Sequence, residues 1–168
     1  TLRPETSIGW DAGIDQSFFD GRASMSATVF GRLVETLITF DTTLTRPGQV
    51  LAGGYVNTAR AATSGIELEA GAVLIPDWVK LSGVYTYLNA KDLSTHLTLQ
   101  RRPANSGRIG LAITPYEGLL IEPRVTFVGK RYSGNNETQP LASYARLDVY
   151  AEYRIDKTWR VFGRVENV

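Results

Sequence analysis

The 168-residue chain has no cysteine, which excludes a disulfide scaffold and thiolate metal sites. It has one histidine, His96, and a lone imidazole is no metal site, because such sites need several ligands. The formal charge is nearly balanced, 18 Lys and Arg against 17 Asp and Glu, so no strong basic field points to nucleic acid or anionic lipid. No apolar run approaches the ~20 residues that a membrane helix needs. Helical spans are thereby disfavoured, whereas a barrel, whose signal per strand is weak, is untouched by that test. No Gly-x-Ser-x-Gly, His-Glu-x-x-His, Walker loop or dinucleotide fingerprint occurs, so no enzyme is indicated.

Alternation fills the space these absences leave. In "TSIGWDAGIDQSF", Ile8, Trp10, Ala12, Ile14 and Phe18 alternate with Ser7, Gly9, Asp11, Gly13, Asp15 and Ser17. A strand puts such alternate residues on opposite faces. Eight strands of this kind are expected: about 5–18, 22–34, 55–74, 79–88, 107–114, 119–127, 144–155 and 159–166. The seventh is cleanest, with Ala145, Leu147, Val149, Ala151, Tyr153 and Ile155 opposing Tyr144, Arg146, Asp148, Tyr150, Glu152 and Arg154. Asp20-Gly21 marks a tight hairpin. Pro47-Gly48 and Gly53-Gly54 mark a long loop over about 35–54.

The connections alternate strictly. Short ones fall near 19–21, 75–78, 115–118 and 156–158, and long ones near 35–54, 89–104 and 130–143. Outer-membrane barrels pair short periplasmic turns with long extracellular loops; a soluble sandwich has no reason to keep that parity. The polar face also carries charge through the strand middles, which demands water or mutual pairing. The apolar face mixes Ala and Gly with larger residues, and lipid does not demand the jigsaw volume that a packed core does. Trp10, Trp78, Tyr85, Tyr87, Tyr153 and Trp159 fit aromatic girdles. The expected fold is therefore all-β, an antiparallel transmembrane β-barrel segment with lipid outside and a wet lumen inside. Two rivals share the strand count: a complete eight-stranded outer-membrane barrel with a structural or adhesive role, and a soluble lipocalin-like ligand-binding barrel.

Several segments resemble TonB-dependent outer-membrane receptors. "LRPETSIGWDAGI" carries Leu2, Pro4, Glu5, Ser7, Trp10, Asp11 and Gly13 in the family's spacing, and "YVNTARAATSGIELEA" carries Tyr55, Asn57, Ala61, Gly65, Ile66, Glu67 and Glu69. "SGVYTYLNAK", "LQRRPAN" and "RVENV" are similar to later family segments, with Val168 where Leu is usual. The matches run in family order over essentially the whole chain. The resemblance implies that residues 1–168 are about eight strands from the C-terminal part of a 22-stranded barrel, ending at its penultimate strand. The plug, early strands and last strand would lie elsewhere in a longer protein, as the abrupt "TLRPETS" and "RVENV" ends also lead one to expect. It further implies a bacterial outer-membrane location and import of a scarce nutrient complex. A ferric siderophore is the first expectation and cobalamin or haem the others. Outer-membrane lipid and the TonB energy-coupling system, acting through the plug, would be partners. No cofactor and no nucleic acid are expected.

Candidate site residues follow from chemistry. Arg101 and Arg102 suit an anionic ligand, since guanidinium matches carboxylate and phosphate geometry; pairing with lumen carboxylates is the plainer use. Tyr132, in "KRYSGNNETQ", offers an aromatic on a polar loop, and loops on rigid scaffolds often bind ligands. Glu67 and Glu69 share a face, which raises acid–base chemistry, but ion pairs with neighbouring strands are expected instead. His96 is expected to be an ordinary loop residue. Asn57 and Gly65 are expected at turns or bulges.

Overall fold

The computed structural model describes residues 2–41, 53–134 and 137–168. Its elements are all strands: β1 (Thr6–Phe18), β2 (Ala23–Asp41), β3 (Gly54–Ile75), β4 (Val79–Asp92), β5 (Asn105–Ile113), β6 (Leu119–Val128), β7 (Arg131–Tyr132), β8 (Pro140–Leu141), β9 (Tyr144–Arg154) and β10 (Arg160–Glu166). Eight of them form one antiparallel sheet in the order β1-β2-β3-β4-β5-β6-β9-β10, while β7 and β8 make a separate ribbon inside the third long connection. Among the described residues β1 and β10 do not pair, so the sheet is open at both edges. That argues against a self-contained eight-stranded barrel, which must close on itself.

The register sorts the side chains. Ile8 faces Leu33, Leu33 faces Ala62, and the parity carries across to Tyr87, Ile109, Val125, Leu147 and Val165. On this face the paired residues 8–18, 23–33, 62–72, 81–89, 105–113, 119–127, 145–153 and 161–165 include no Asp, Glu, Lys or Arg; its charged residues, Glu35, Asp41, Arg60 and Lys91, all lie beyond these spans at the long-loop end. It is nevertheless the exposed face: Ile8 is 73% exposed and Ile109 61%, whereas Asp148, on the other face, is 4% exposed. Only Ala61 and Ala90 are buried hydrophobics among the described residues. The described residues form no apolar core for a soluble barrel, and the exposed apolar face is what hydrocarbon outside requires.

Aromatic rings bound this belt. Phe18, Trp78, Tyr116, Tyr153 and Trp159 sit at the short-turn end, where the Tyr116 and Tyr153 rings meet edge-on at 6.3 Å. Trp10 lies eight residues from Phe18, and Tyr87 nine from Trp78. At ~3.4 Å per residue and ~40° tilt these separations span roughly 21–23 Å, close to the ~25 Å apolar band of outer-membrane barrels.

Turns of three to five residues join the strand pairs at this end, against twelve to fifteen residues at the other. Asp20 and Gly21 both have positive φ, and Arg22 N–H donates to the Phe19 carbonyl at 3.1 Å, the primed hairpin geometry expected of Asp-Gly. In the last turn Asp156 Oδ1 accepts the Thr158 and Trp159 N–H groups at 2.7 and 2.8 Å, which holds its carboxyl below the usual range.

The strands exceed the expected lengths. β2 continues to Asp41 and pairs through Phe40 with Tyr55, so residues 35–41 belong to the ladder rather than to a loop. The Phe40 and Tyr55 rings stack edge-on at 5.3 Å. The Pro47-Gly48 turn signal lies outside the described residues. Above the belt, Thr36 takes a positive φ of 56° and the segment before β1 crosses this irregularity. Thr36 Oγ1 donates to the Pro4 carbonyl, Ile38 N–H to a Glu5 carboxylate oxygen, and the Asn57 amide exchanges hydrogen bonds with Arg3 N–H and C=O. Asn57 is thus a clamp inside β3, not a turn residue. The Pro-Glu signature marks the place where the chain ties down the tall β2–β3 hairpin.

Candidate functional site

The polar face is an ionic array toward β10. Arg146 bonds Asp148 at 2.8 Å, Arg164 bonds Glu166 at 2.8 Å, Arg160 approaches Glu152 to 3.4 Å, and Tyr150 O–H donates to Glu152 at 2.7 Å. Asp148 also accepts Asn167 N–H at 3.1 Å. Three of these pairs lie two residues apart on one strand, the spacing that shares a face. Glu67 and Glu69 depart from expectation: among the described residues neither is in an ion pair, and their cross-strand neighbours are Thr28 and Thr86, and Ser26 and Val84.

The long-loop end is where the candidate ligand residues meet. The connection 93–104 folds back on its own strand, with Asp92 N–H to Leu97 C=O at 2.9 Å and Leu99 N–H to Ala90 C=O at 3.0 Å. His96 sits at an exposed turn with φ of 61°, and its N–H donates to Asp92 C=O at 2.8 Å. Arg101 takes a positive φ of 58°, and its N–H donates to the Tyr132 carbonyl at 2.7 Å. The structure thereby brings Arg101 and Tyr132 together from two different connections, with Arg102 adjoining. Among the described residues neither Arg101 nor Arg102 is in an ion pair.

A second clasp was not legible in the sequence. Glu137 Oε1 accepts both Thr98 N–H, at 3.0 Å, and Thr98 Oγ1–H, at 2.7 Å. These bonds, helped by Lys91, favour the charged form and hold the Glu137 carboxyl below its usual range. Arg131 was also missed. Its guanidinium carbon stands 5.3 Å from the centre of the Tyr144 ring, a cation–π contact. The only sequence signal for it was the run Lys130-Arg131-Tyr132.

The family model described as TonB dependent receptor-like, beta-barrel, matches residues 1–168. The chain belongs to this family of TonB-dependent receptor barrels. Its sheet is accordingly a piece of bacterial outer-membrane barrel, with the open edges that a partial barrel has. The metal-pseudopaline receptor CntO of Pseudomonas aeruginosa is 27% identical over 176 residues, covering 98% of this chain and 24% of that receptor. Among solved structures, the copper transporter OprC superposes with a TM-score of 0.80 at 18% identity, over 100% of this chain and 26% of that one. The ferripyoverdine receptor of the outer membrane of Pseudomonas aeruginosa superposes with a TM-score of 0.66 at 22% identity, over 99% and 24%. Likeness at this identity establishes the receptor fold. The chain spans about a quarter of the relatives it matches.

Proposed function

We propose that this chain is the C-terminal barrel wall, short of the last strand, of an outer-membrane receptor that imports a scarce metal chelate, a ferric siderophore before cobalamin or haem. Arg101, Arg102 and Tyr132 contact the chelate at the mouth, and TonB supplies energy through a plug carried elsewhere in the protein. The observation that carries the reading is the Arg101–Tyr132 hydrogen bond. It brings the backbones of Arg101 and Tyr132 together at the long-loop end of the sheet, with Arg102 next in sequence, and among the described residues neither arginine is in an ion pair. Such a set suits an anionic complex with an apolar rim, because guanidinium recognises oxyanions and the ring covers the ligand's apolar surface. The metal-pseudopaline receptor and the ferripyoverdine receptor support a metal chelate as cargo, and the copper transporter OprC supports a metal ion as the alternative. The test is equilibrium binding by the full-length receptor to a panel of ferric siderophores, haem and cobalamin. A ferric siderophore is expected to bind, and Arg101→Ala with Arg102→Ala to weaken it about tenfold or more. Binding of cobalamin or haem alone would replace the cargo; binding of none would end the import reading.

A further inference from the structure

We propose that Thr98, Arg101, Tyr132 and Glu137 form a two-point catch between two long connections, and that its two points open together. The device is independent of any cargo. Its fixed side is the connection 93–104, which is tied back to its own strand: Asp92 N–H donates to the Leu97 carbonyl at 2.9 Å and Leu99 N–H to the Ala90 carbonyl at 3.0 Å. Its carried side is the next long connection along the sheet, between β6 and β9. The first fastening is the bond from Arg101 N–H to the Tyr132 carbonyl at 2.7 Å. The second is Glu137 Oε1, which accepts Thr98 N–H at 3.0 Å and Thr98 Oγ1–H at 2.7 Å.

Two features couple the fastenings. The carried side links its own two points, because Arg131 and Tyr132 pair with Leu141 and Pro140, Ser133 N–H donates to the Gln139 carbonyl at 3.1 Å, and Gly134 N–H donates to the Thr138 carbonyl at 3.2 Å. Tyr132 and Glu137 therefore ride on one small ribbon. The junction is also strained. Arg101, Glu137 and Gln139 all sit in the left-handed region, with φ of 58°, 57° and 54°. Residues with side chains seldom adopt that conformation, and they keep it only where their surroundings over-determine it. Arg101 N–H is aimed at Tyr132 only while Arg101 holds its φ, and the Glu137 carboxylate is aimed at Thr98 only while Glu137 holds its own. Loss of one fastening lets its strained residue relax and withdraws support from the other. The result is two states, both points made or both lost. A contact made with one connection is therefore felt in the other, and the coupling is reciprocal.

The experiment is hydrogen exchange, resolved to single amides, on the full-length receptor in nanodiscs. The variants are Glu137→Ala, Thr98→Val, Thr98→Ser and the double variant Glu137→Ala with Thr98→Val. The decisive amide is Arg101 N–H, whose bond to Tyr132 involves neither altered side chain. It is expected to exchange about tenfold or more faster in Glu137→Ala, the worth of the charge-assisted bonds removed from the other point. Thr98→Val should accelerate it in the same direction. The double variant should be no faster than Glu137→Ala, because the second change has nothing left to break. Thr98→Ser keeps both donors and should stay within about threefold of wild type, as should Leu99 N–H in every variant, since Ala90 holds it. An Arg101 amide unchanged while Thr98 N–H accelerates overturns the proposal, for the points would then open singly. So does an additive double variant, or serine at 98 behaving like valine. Acceleration of Leu99 equal to that of Arg101 also overturns it, because the whole connection 93–104 would then have loosened from its strand.

Discussion

At the scale of single residues, Gly65 shows what the sheet demands. A Cβ there would stand 2.7 Å from Phe30 Cζ and would overlap the Tyr87 carbonyl oxygen. Phe30 is its direct cross-strand partner, so the ring covers the glycine. The family's Gly-Ile-Glu stretch thus records a close approach rather than the bulge the sequence led one to expect. Gly65→Val is expected to destabilise the full-length receptor by about 1–3 kcal/mol in chemical unfolding, the usual cost of overpacking. Gly83 is the control: its nearest neighbour would be the Arg108 carbonyl at 3.9 Å, so Gly83→Ala is expected to stay within about 0.5 kcal/mol. Glu137 carries a pH dependence. Its carboxyl is lowered by the Thr98 bonds, so the charged clasp contributes fully above the ordinary carboxylate range. The contribution is lost as pH falls through the depressed value in the folded loop. Hydrogen exchange at the Thr98 amide should accelerate, relative to Leu99, only on that acid side, and in Glu137→Gln at every pH.

Strands were legible wherever one face met lipid, because period-two alternation is strongest where one side must be apolar and the other wet. The β9 pattern from Tyr144 to Arg154 was read nearly to the residue. Legibility failed above the belt. Residues 35–41 of β2 extend past the hydrocarbon, where both faces meet water or other strands, so Glu35 and Thr36 interrupt the alternation that marks a strand lower down. The ribbon of β7 and β8 left no pattern, because two paired residues on each side are set by the loop's own contacts, such as Ser133 N–H to Gln139 C=O at 3.1 Å. Arg101 and Tyr132 were illegible as neighbours, since the bond that joins them is made by backbone. Glu67 and Glu69 misled for a related reason: their partners depend on register, which places threonine, serine and valine beside them. The belt itself gives a test at this scale. Ile109→Arg, mid-belt on the lipid face, should cost about 2–4 kcal/mol in reversible folding into bilayers. Ser106→Arg, which joins Arg108 and Arg124 on the wet face, should cost far less.

Taken as a whole molecule, the sheet has no interior of its own. Its apolar side is exposed, and its edges at β1 and β10 are unpaired among the described residues, a combination that water would punish by aggregation and that a larger barrel in a membrane resolves. Family membership and the fold of the solved receptors agree with that reading. The absence of cysteine in this chain makes the direct test convenient. Single cysteines at Leu147 and Val149, and at Arg146 and Glu152, would carry spin labels in the full-length receptor in bilayers, and collision with oxygen and with a water-soluble nickel chelate would be compared at each. Labels at 147 and 149 are expected to favour oxygen, and those at 146 and 152 the nickel chelate, alternating along β9. Nickel-accessible labels at 147 and 149, or burial of those two from both reagents, would contradict a lipid-facing sheet.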